Sequence, residues 1–166
     1  MDANQYIKIY VWDLPQGTGY DDLKQAISSL VPKNNYELKN YYGYFEIKVS
    51  HQYSQQLNTE LRSSFKTTTD IHLIPLIYIT NIPPTISNEE IESTIRNLCP
   101  IKKFTFLSEI SKDGIDRHFF IEFNQIDECN NFVKNYQDYE FDGTSMMIKQ
   151  LTDSDVLSNS RNNMVE

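Results

Sequence analysis

The chain has 166 residues, room for one large domain or two small ones. Hydrophobic residues make up 39% and charged residues 23%, enough apolar content to bury a core, which excludes a compositionally disordered chain. Lys and Arg number 15 against 23 Asp and Glu, a formal net charge of −8, which excludes a basic protein that wraps a polyanion by overall charge. The longest apolar stretch, Leu73 to Ile79, is far short of the roughly 18 residues a membrane span needs. Met1-Asp2-Ala3-Asn4-Gln5 has neither a basic region nor an apolar run, so no secretory signal is expected. The 2 cysteines, Cys99 and Cys129, form no disulfide framework, and no Cys/His cluster has metal-ligand spacing. The expectation is a soluble intracellular protein with no cofactor and no bound metal.

In chain order, the β-branched and aromatic run Ile7 to Trp12 predicts a strand, ended by the turn residues Asp13-Leu14-Pro15-Gln16-Gly17. From Asp21 to Leu30, apolar residues Leu23, Ala26, Ile27 and Leu30 recur at helical spacing, and Pro32 stops the pattern. Tyr36-Glu37-Leu38 and Tyr41 to Val49 read as two strands around Lys39-Asn40. Gln52 to Phe65 predicts a second helix through Leu57, Leu61 and Phe65, and Ile71 to Ile74 a closing strand. The order is β-α-β-β-α-β.

The order then repeats. Leu76 to Thr80 predicts a strand, and Asn81-Ile82-Pro83-Pro84 repeats the Asp13-Leu14-Pro15 ending of the first. Ser87-Asn88-Glu89-Glu90 is a capping box opening a helix with Ile91, Ile95 and Leu98 on one side. Strands follow over Ile101–Ile110 and Arg117–Phe123, joined by a turn at Lys112-Asp113-Gly114. Asp127 caps a helix carrying Cys129, Phe132, Val133 and Tyr136, and Ser145 to Leu151 is the last strand. The predicted domains are residues 1–75 and 76–151, followed by a disordered polar tail over 152–166. Pro75 alone would separate the two copies, leaving almost no linker.

Two stretches in each copy carry a family resemblance. Ile77-Tyr78-Ile79-Thr80-Asn81-Ile82 resembles the RNP2 motif of the RNA recognition motif (RRM) family, which lies on the first strand. Asp116 to Phe123 occupies the third strand, where that family has its RNP1 motif. In the first copy, Ile9 to Leu14 resembles RNP2 and Asn40 to Ile47 resembles RNP1. The resemblance implies an α+β fold of two tandem βαββαβ ferredoxin-like sandwiches, each a four-stranded antiparallel sheet with two helices on one face. It also implies a partner, single-stranded RNA, whose unpaired bases stack on sheet aromatics at ~1–3 kcal/mol each. Strand alternation places Tyr78, His118 and Phe120 on the open face of the second copy, and Tyr10, Tyr42, Tyr44, Trp12 and Lys8 on that of the first. Lys103 and Lys149 are candidate phosphate contacts, Met147 is on the open face, and Phe104 and Phe106 are expected in the core.

The motifs depart from the family in a consistent direction. RNP1 usually opens with a cation that meets a phosphate, but Asn40 and Asp116 stand there, and an acid repels the backbone. The Gly that follows is replaced by Tyr41 and Arg117, and the small residue fourth in line is kept as Gly43 but replaced by Phe119. Each candidate also has a plain structural reading. Aromatics paired across strands stabilise a sheet, and a lone Lys on a strand is usually only solvated.

The leading reading is a single-stranded RNA-binding protein of the tandem-RRM type in mRNA processing, export or related RNA metabolism, intracellular and in the nucleus more than the cytoplasm. The competing one is a pseudo-RRM that binds proteins through its acidic or helical faces, with weak or no RNA binding. Enzymatic function is not expected: there is no phosphate-cradling Gly loop, no Ser/His/Asp set and no paired catalytic carboxylates, and neither a small-molecule substrate nor a membrane is implied.

Overall fold

The structure is a computed structural model and describes residues 5–111 and 114–151. It contains two compact units, the first ending at Ile74 and the second beginning at Pro75. The turn expected at Lys112-Asp113 and the tail expected over 152–166 lie outside the described residues.

The first unit runs β1 (Tyr6–Trp12), α1 (Tyr20–Ser28), β2 (Tyr36–Tyr41), β3 (Tyr44–Ser50), α2 (His51–Arg62) and β4 (Lys66–Thr68). Its four strands form an antiparallel sheet in the order β2-β3-β1-β4. Alternation along β1 and β3 sends Ile9, Val11, Ile47 and Val49 to one face, where they are fully buried. Leu23 and Ile27 of α1, and Leu57 and Leu61 of α2, each one helical turn apart, complete that core. Each such side chain contributes ~1.5–3 kcal/mol on burial, so the apolar spacing of helix and strand is sufficient to hold both helices on this face.

Two expectations for this unit need correction. The β2–β3 hairpin turns at Tyr42-Gly43, not Lys39-Asn40, because Gly43 supplies the positive φ of 78° that a tight turn requires. Tyr42 therefore sits in a loop, and Tyr41 is the residue that pairs with Tyr44. The closing strand is Lys66–Thr68, not Ile71–Ile74. Ile71–Leu73 instead forms a short 3-10 turn, capped by the Asp70 carboxylate, which accepts the His72 N–H at 3.0 Å. The segment between β4 and the next strand is thus residues 69–75 rather than Pro75 alone.

The second unit runs β5 (Leu76–Thr80), α3 (Asn88–Leu98), β6 (Lys103–Ser111), β7 (Gly114–Glu122), α4 (Ile126–Tyr136), the small hairpin β8 (Glu140–Phe141) and β9 (Thr144–Ser145), and β10 (Met147–Lys149). The main sheet is antiparallel in the order β10-β5-β7-β6, the same connectivity as the first. This α+β arrangement is ferredoxin-like. Its core joins Ile77, Ile79, Phe119 and Ile121 of the sheet to Ile91 and Ile95 of α3 and to Cys129 and Phe132 of α4. Ser87 caps α3 by accepting the Glu90 N–H at 3.2 Å. Gln125, not Asp127, occupies the cap position of α4, and Asp127 lies in its first turn, where a negative charge suits the helix dipole.

The region expected as one final strand over Ser145–Leu151 is divided. Asp142 and Gly143 take φ values of 47° and 80°, the two positive values of a tight hairpin turn, which pairs Thr144–Ser145 back onto Glu140–Phe141. Only Met147–Lys149 joins the main sheet. Phe104 and Phe106 both contact Phe119, with ring centroids 5.1 and 5.4 Å apart, yet Phe106 is 39% exposed because β6 is the sheet edge.

Candidate nucleic-acid interface

In the second unit, the strand register carries a row of side chains across the sheet face opposite the helices: Lys149, Tyr78, Phe120 and Thr105. Tyr78 and Phe120 are direct cross-strand partners, their rings edge-on at 5.0 Å. His118, two residues along β7, stacks on Tyr78 at 5.1 Å with an interplanar angle of 22°. Lys103 pairs with Glu122 in the next row. The residues expected on this face are therefore brought together on it.

Their exposure differs from the expectation of an open platform. Tyr78 is 1% exposed and Phe120 5%, and His118 already lies against a face of the Tyr78 ring. His118 and Lys149 are half-buried, while Lys103 and Met147 are exposed. The π-faces are present, but two of the three rings are withdrawn from solvent. Alternation in a single sequence reports which side of a sheet a residue takes, not whether that side is open to water.

The corresponding face of the first unit carries Lys8, Tyr10, Trp12, Tyr44, Glu46 and Tyr41. Tyr10 and Tyr44 are buried, with ring centroids 6.3 Å apart, and Tyr41 stacks on Tyr44 at 5.0 Å and 8°. Sequence reasoning missed Tyr41, and Gly43 is the signal that would have found it, since a two-residue loop at Tyr42-Gly43 makes Tyr41 and Tyr44 opposite partners. Glu46 lies directly opposite Tyr10, and its carboxylate draws the Lys8 ammonium to 3.7 Å. Lys8 is thus engaged by an acid of its own sheet. Burial first, and then the Glu46 carboxylate, push the Tyr10 hydroxyl up to about 12.

Both first strands end in a left-handed residue, Asp13 at φ 54° and Asn81 at φ 63°. Asn and Asp tolerate this conformation better than other side chains because their short polar groups bond locally. The Asn81 side-chain amide donates to the Ser145 carbonyl at 2.8 Å, and the Asp13 carboxylate meets the Lys66 ammonium at 2.9 Å. The Asn of the RNP2-like motif therefore has a role in closing the sheet end. Arg117 was also missed as a structural residue: its guanidinium, where the family has Gly, donates to the carbonyls of Pro83 and Ile86 and to the Asn88 side chain.

Residues 77–147 match the family model described as RNA recognition motif. That segment is similar to an RRM. The match includes Tyr78 and Phe120, both RNP-like motifs of this unit, and the Asn81 and Arg117 anchors, and stops short of Lys149. Comparison with curated proteins gave no match. Among solved structures, the chain is similar to the RNA15 RRM at 19% identity, covering 51% of this chain and 98% of that one, with a TM-score of 0.41. It is similar to the SXL-lethal protein/RNA complex at 19% identity, covering 87% and 98%, with a TM-score of 0.40. A third similarity is to the C. elegans NONO-1 homodimer, at 14% identity, covering 90% and 63%, with a TM-score of 0.40.

Among the described residues, no group of three or more His, Cys, Asp or Glu side chains is placed to hold a metal ion. None of their helices is long and apolar enough to cross a membrane. The thiols are not arranged for reactivity. Burial raises Cys99, with Glu128 adding to it, and raises Cys129 to about 12, with Cys99 adding to it.

Proposed function

We propose that the chain binds single-stranded RNA through the sheet of the RRM at residues 77–147, and that the first unit is a second, degenerate RRM, making a tandem pair. The observation that carries this reading is the family match together with the Tyr78–Phe120–His118 cluster that the register assembles inside it. mRNA processing or export, in the nucleus, is the setting we propose for that activity.

The burial of Tyr78 and Phe120 sets a condition on the mechanism. A base reaches those rings only in a state where the face is uncovered, so the apparent affinity is the intrinsic one reduced by the fraction of molecules in that state. Lys103 and Lys149, at the two sides of the face, are the phosphate contacts in this reading, and each such contact adds to the salt dependence. Asp116 opens the RNP1-like stretch, and an acid there subtracts from it.

The test is a titration of short U, A, C and G homopolymers at two salt concentrations. Binding of at least one polymer, weakened by salt and by Phe120→Leu, supports the reading. Absence of binding by all four, or binding untouched by Phe120→Leu, overturns it.

Two observations favour a second reading, a protein-interaction module: the aromatic face is withdrawn from solvent, and the chain carries a net charge of −8. Its mark in the same titration is the absence of RNA binding by a folded protein.

A further inference from the structure

In the first unit β2 lies at the sheet edge, and its strand neighbour among the described residues is β3. The turn at Tyr42-Gly43 makes Tyr41 and Tyr44 the closing hydrogen-bonded pair of the hairpin, so Lys39 and Glu37 also bond to β3 through their backbone. Tyr36, Leu38 and Asn40, between them, turn their N–H and C=O groups to the open edge. Such a row is a template for another strand. Its side chains alternate in charge. Glu37 is exposed and Lys39 half-buried, on one face and either side of Leu38. Across the hairpin Glu37 stands opposite Lys48, and Lys39 opposite Glu46. Among the described residues neither Glu37 nor Lys39 is in an ion pair.

We propose that β2 pairs with the β2 of a second copy of this chain, antiparallel and centred on Leu38, so that two first units share one continuous sheet about a two-fold axis. The charges select both the occupant and the register. A centre at Glu37 would set two glutamates opposite each other, and one at Lys39 two lysines, and like charges directly opposite destabilise a strand pair. A centre at Leu38 instead sets Glu37 opposite Lys39 of the second copy, twice by symmetry. These are the non-hydrogen-bonded positions, where opposing side chains stand closest. The row across the joined sheets then reads Glu46, Lys39, Glu37, Lys48, each opposite in charge to the next. The strand is thus complementary to itself. The contact is small, 6 residues a side against the roughly 20–30 of a stable interface, so the dimer is weak and reversible. It uses the first unit and does not rest on the RNA reading.

The experiment is analytical ultracentrifugation of the full chain without RNA, from about 10 µM to about 1 mM, with amide shifts followed over the same range. A reversible monomer–dimer equilibrium is expected, with concentration-dependent shifts at residues 36–41. Glu37→Lys and Lys39→Glu each set like charges across the axis and should weaken self-association about tenfold or more. Mixed in equal amounts, the two variants recover opposite pairing at both positions and should associate with each other. Should Lys39→Glu unfold the unit beside Glu46, Glu37→Lys at its exposed position still decides the matter. A chain that stays monomeric throughout, shifts mapping elsewhere, association unchanged by Glu37→Lys, or two folded variants that ignore each other would overturn the proposal.

Discussion

The Arg117 guanidinium donates to the Ile86 carbonyl at 2.6 Å, tying the third strand of the second unit to the loop that enters α3. The same guanidinium reaches the Pro83 carbonyl, and the Asn88 side chain at 3.1 Å. Its two terminal nitrogens donate to two loop carbonyls and to the first side chain of α3, so its loss leaves those oxygens without their donor. Hydrogen bonds to charged groups contribute ~1.5–3 kcal/mol, and Arg117→Ala is expected to destabilise by about that amount. In a unit of this size the melting temperature should fall by roughly 6–24 °C. Thermal unfolding checks it, and hydrogen exchange over residues 83–87 should rise in step. An unchanged melt would show that water replaces the guanidinium without cost.

Phe120 separates stability from stacking only if its substitution keeps apolar volume. Because it is 5% exposed, Phe120→Ala is expected to cost ~3–5 kcal/mol, enough to threaten the fold. Phe120→Leu should cost less than about 1.5 kcal/mol. It removes the ring, however, and should weaken RNA binding by ~1–3 kcal/mol, about 5- to 150-fold. Urea unfolding and RNA titration on the same sample measure the two effects together.

Asn81 combines a backbone and a side-chain contribution that can be measured apart. Asn81→Ala loses the bond to Ser145 and, at φ 63°, the short polar group that lets Asn tolerate the left-handed region, for an expected cost of about 2 kcal/mol. Asn81→Gly keeps the left-handed backbone and loses only the bond, so it should recover roughly half of that cost. Denaturant midpoints of the three proteins test the split. Equal midpoints for the Ala and Gly variants would leave the backbone conformation without energetic weight.

Alkaline pH should destabilise the protein through two buried acids. Cys129 is raised from 9.0 and Tyr10 from 10.0, each to about 12, chiefly by burial. The folded state then keeps protons that the unfolded chain releases. The stabilisation is full below about pH 9 and is lost as pH rises through about 12. Urea midpoints at pH 8 and pH 10.5 should therefore fall, and Tyr10→Phe should flatten part of the decline. A decline equally steep in Tyr10→Phe would remove Tyr10 from the account. Below pH 9 Cys129 should resist thiol reagents until the protein is unfolded.

The helices were legible because their signal is local. Leu23 and Ile27, Leu57 and Leu61, and Ile91 and Ile95 recur one turn apart, and each pair is buried where that spacing places it. Alternation likewise assigned Ile9, Val11, Ile77 and Ile79 to the core side. The errors fell at short elements. Lys66–Thr68 has 3 residues and no apolar alternation, and its pairing with Tyr10 to Trp12 is decided across more than fifty residues of chain. Ile71 to Ile74 has a better strand composition, yet its backbone turns instead under the Asp70 cap.

The sequence by itself determined the order of elements, the helix faces and the side of the sheet on which Tyr78, Phe120 and His118 stand, because periodicity is written in neighbouring residues. Tertiary structure alone decided that Tyr78 is buried to 1% and stacked on His118, that Lys8 is held by Glu46, and that Arg117 anchors a loop thirty residues away. These depend on which distant groups meet. Burial and pairing are properties of the folded surroundings, and no local pattern encodes them.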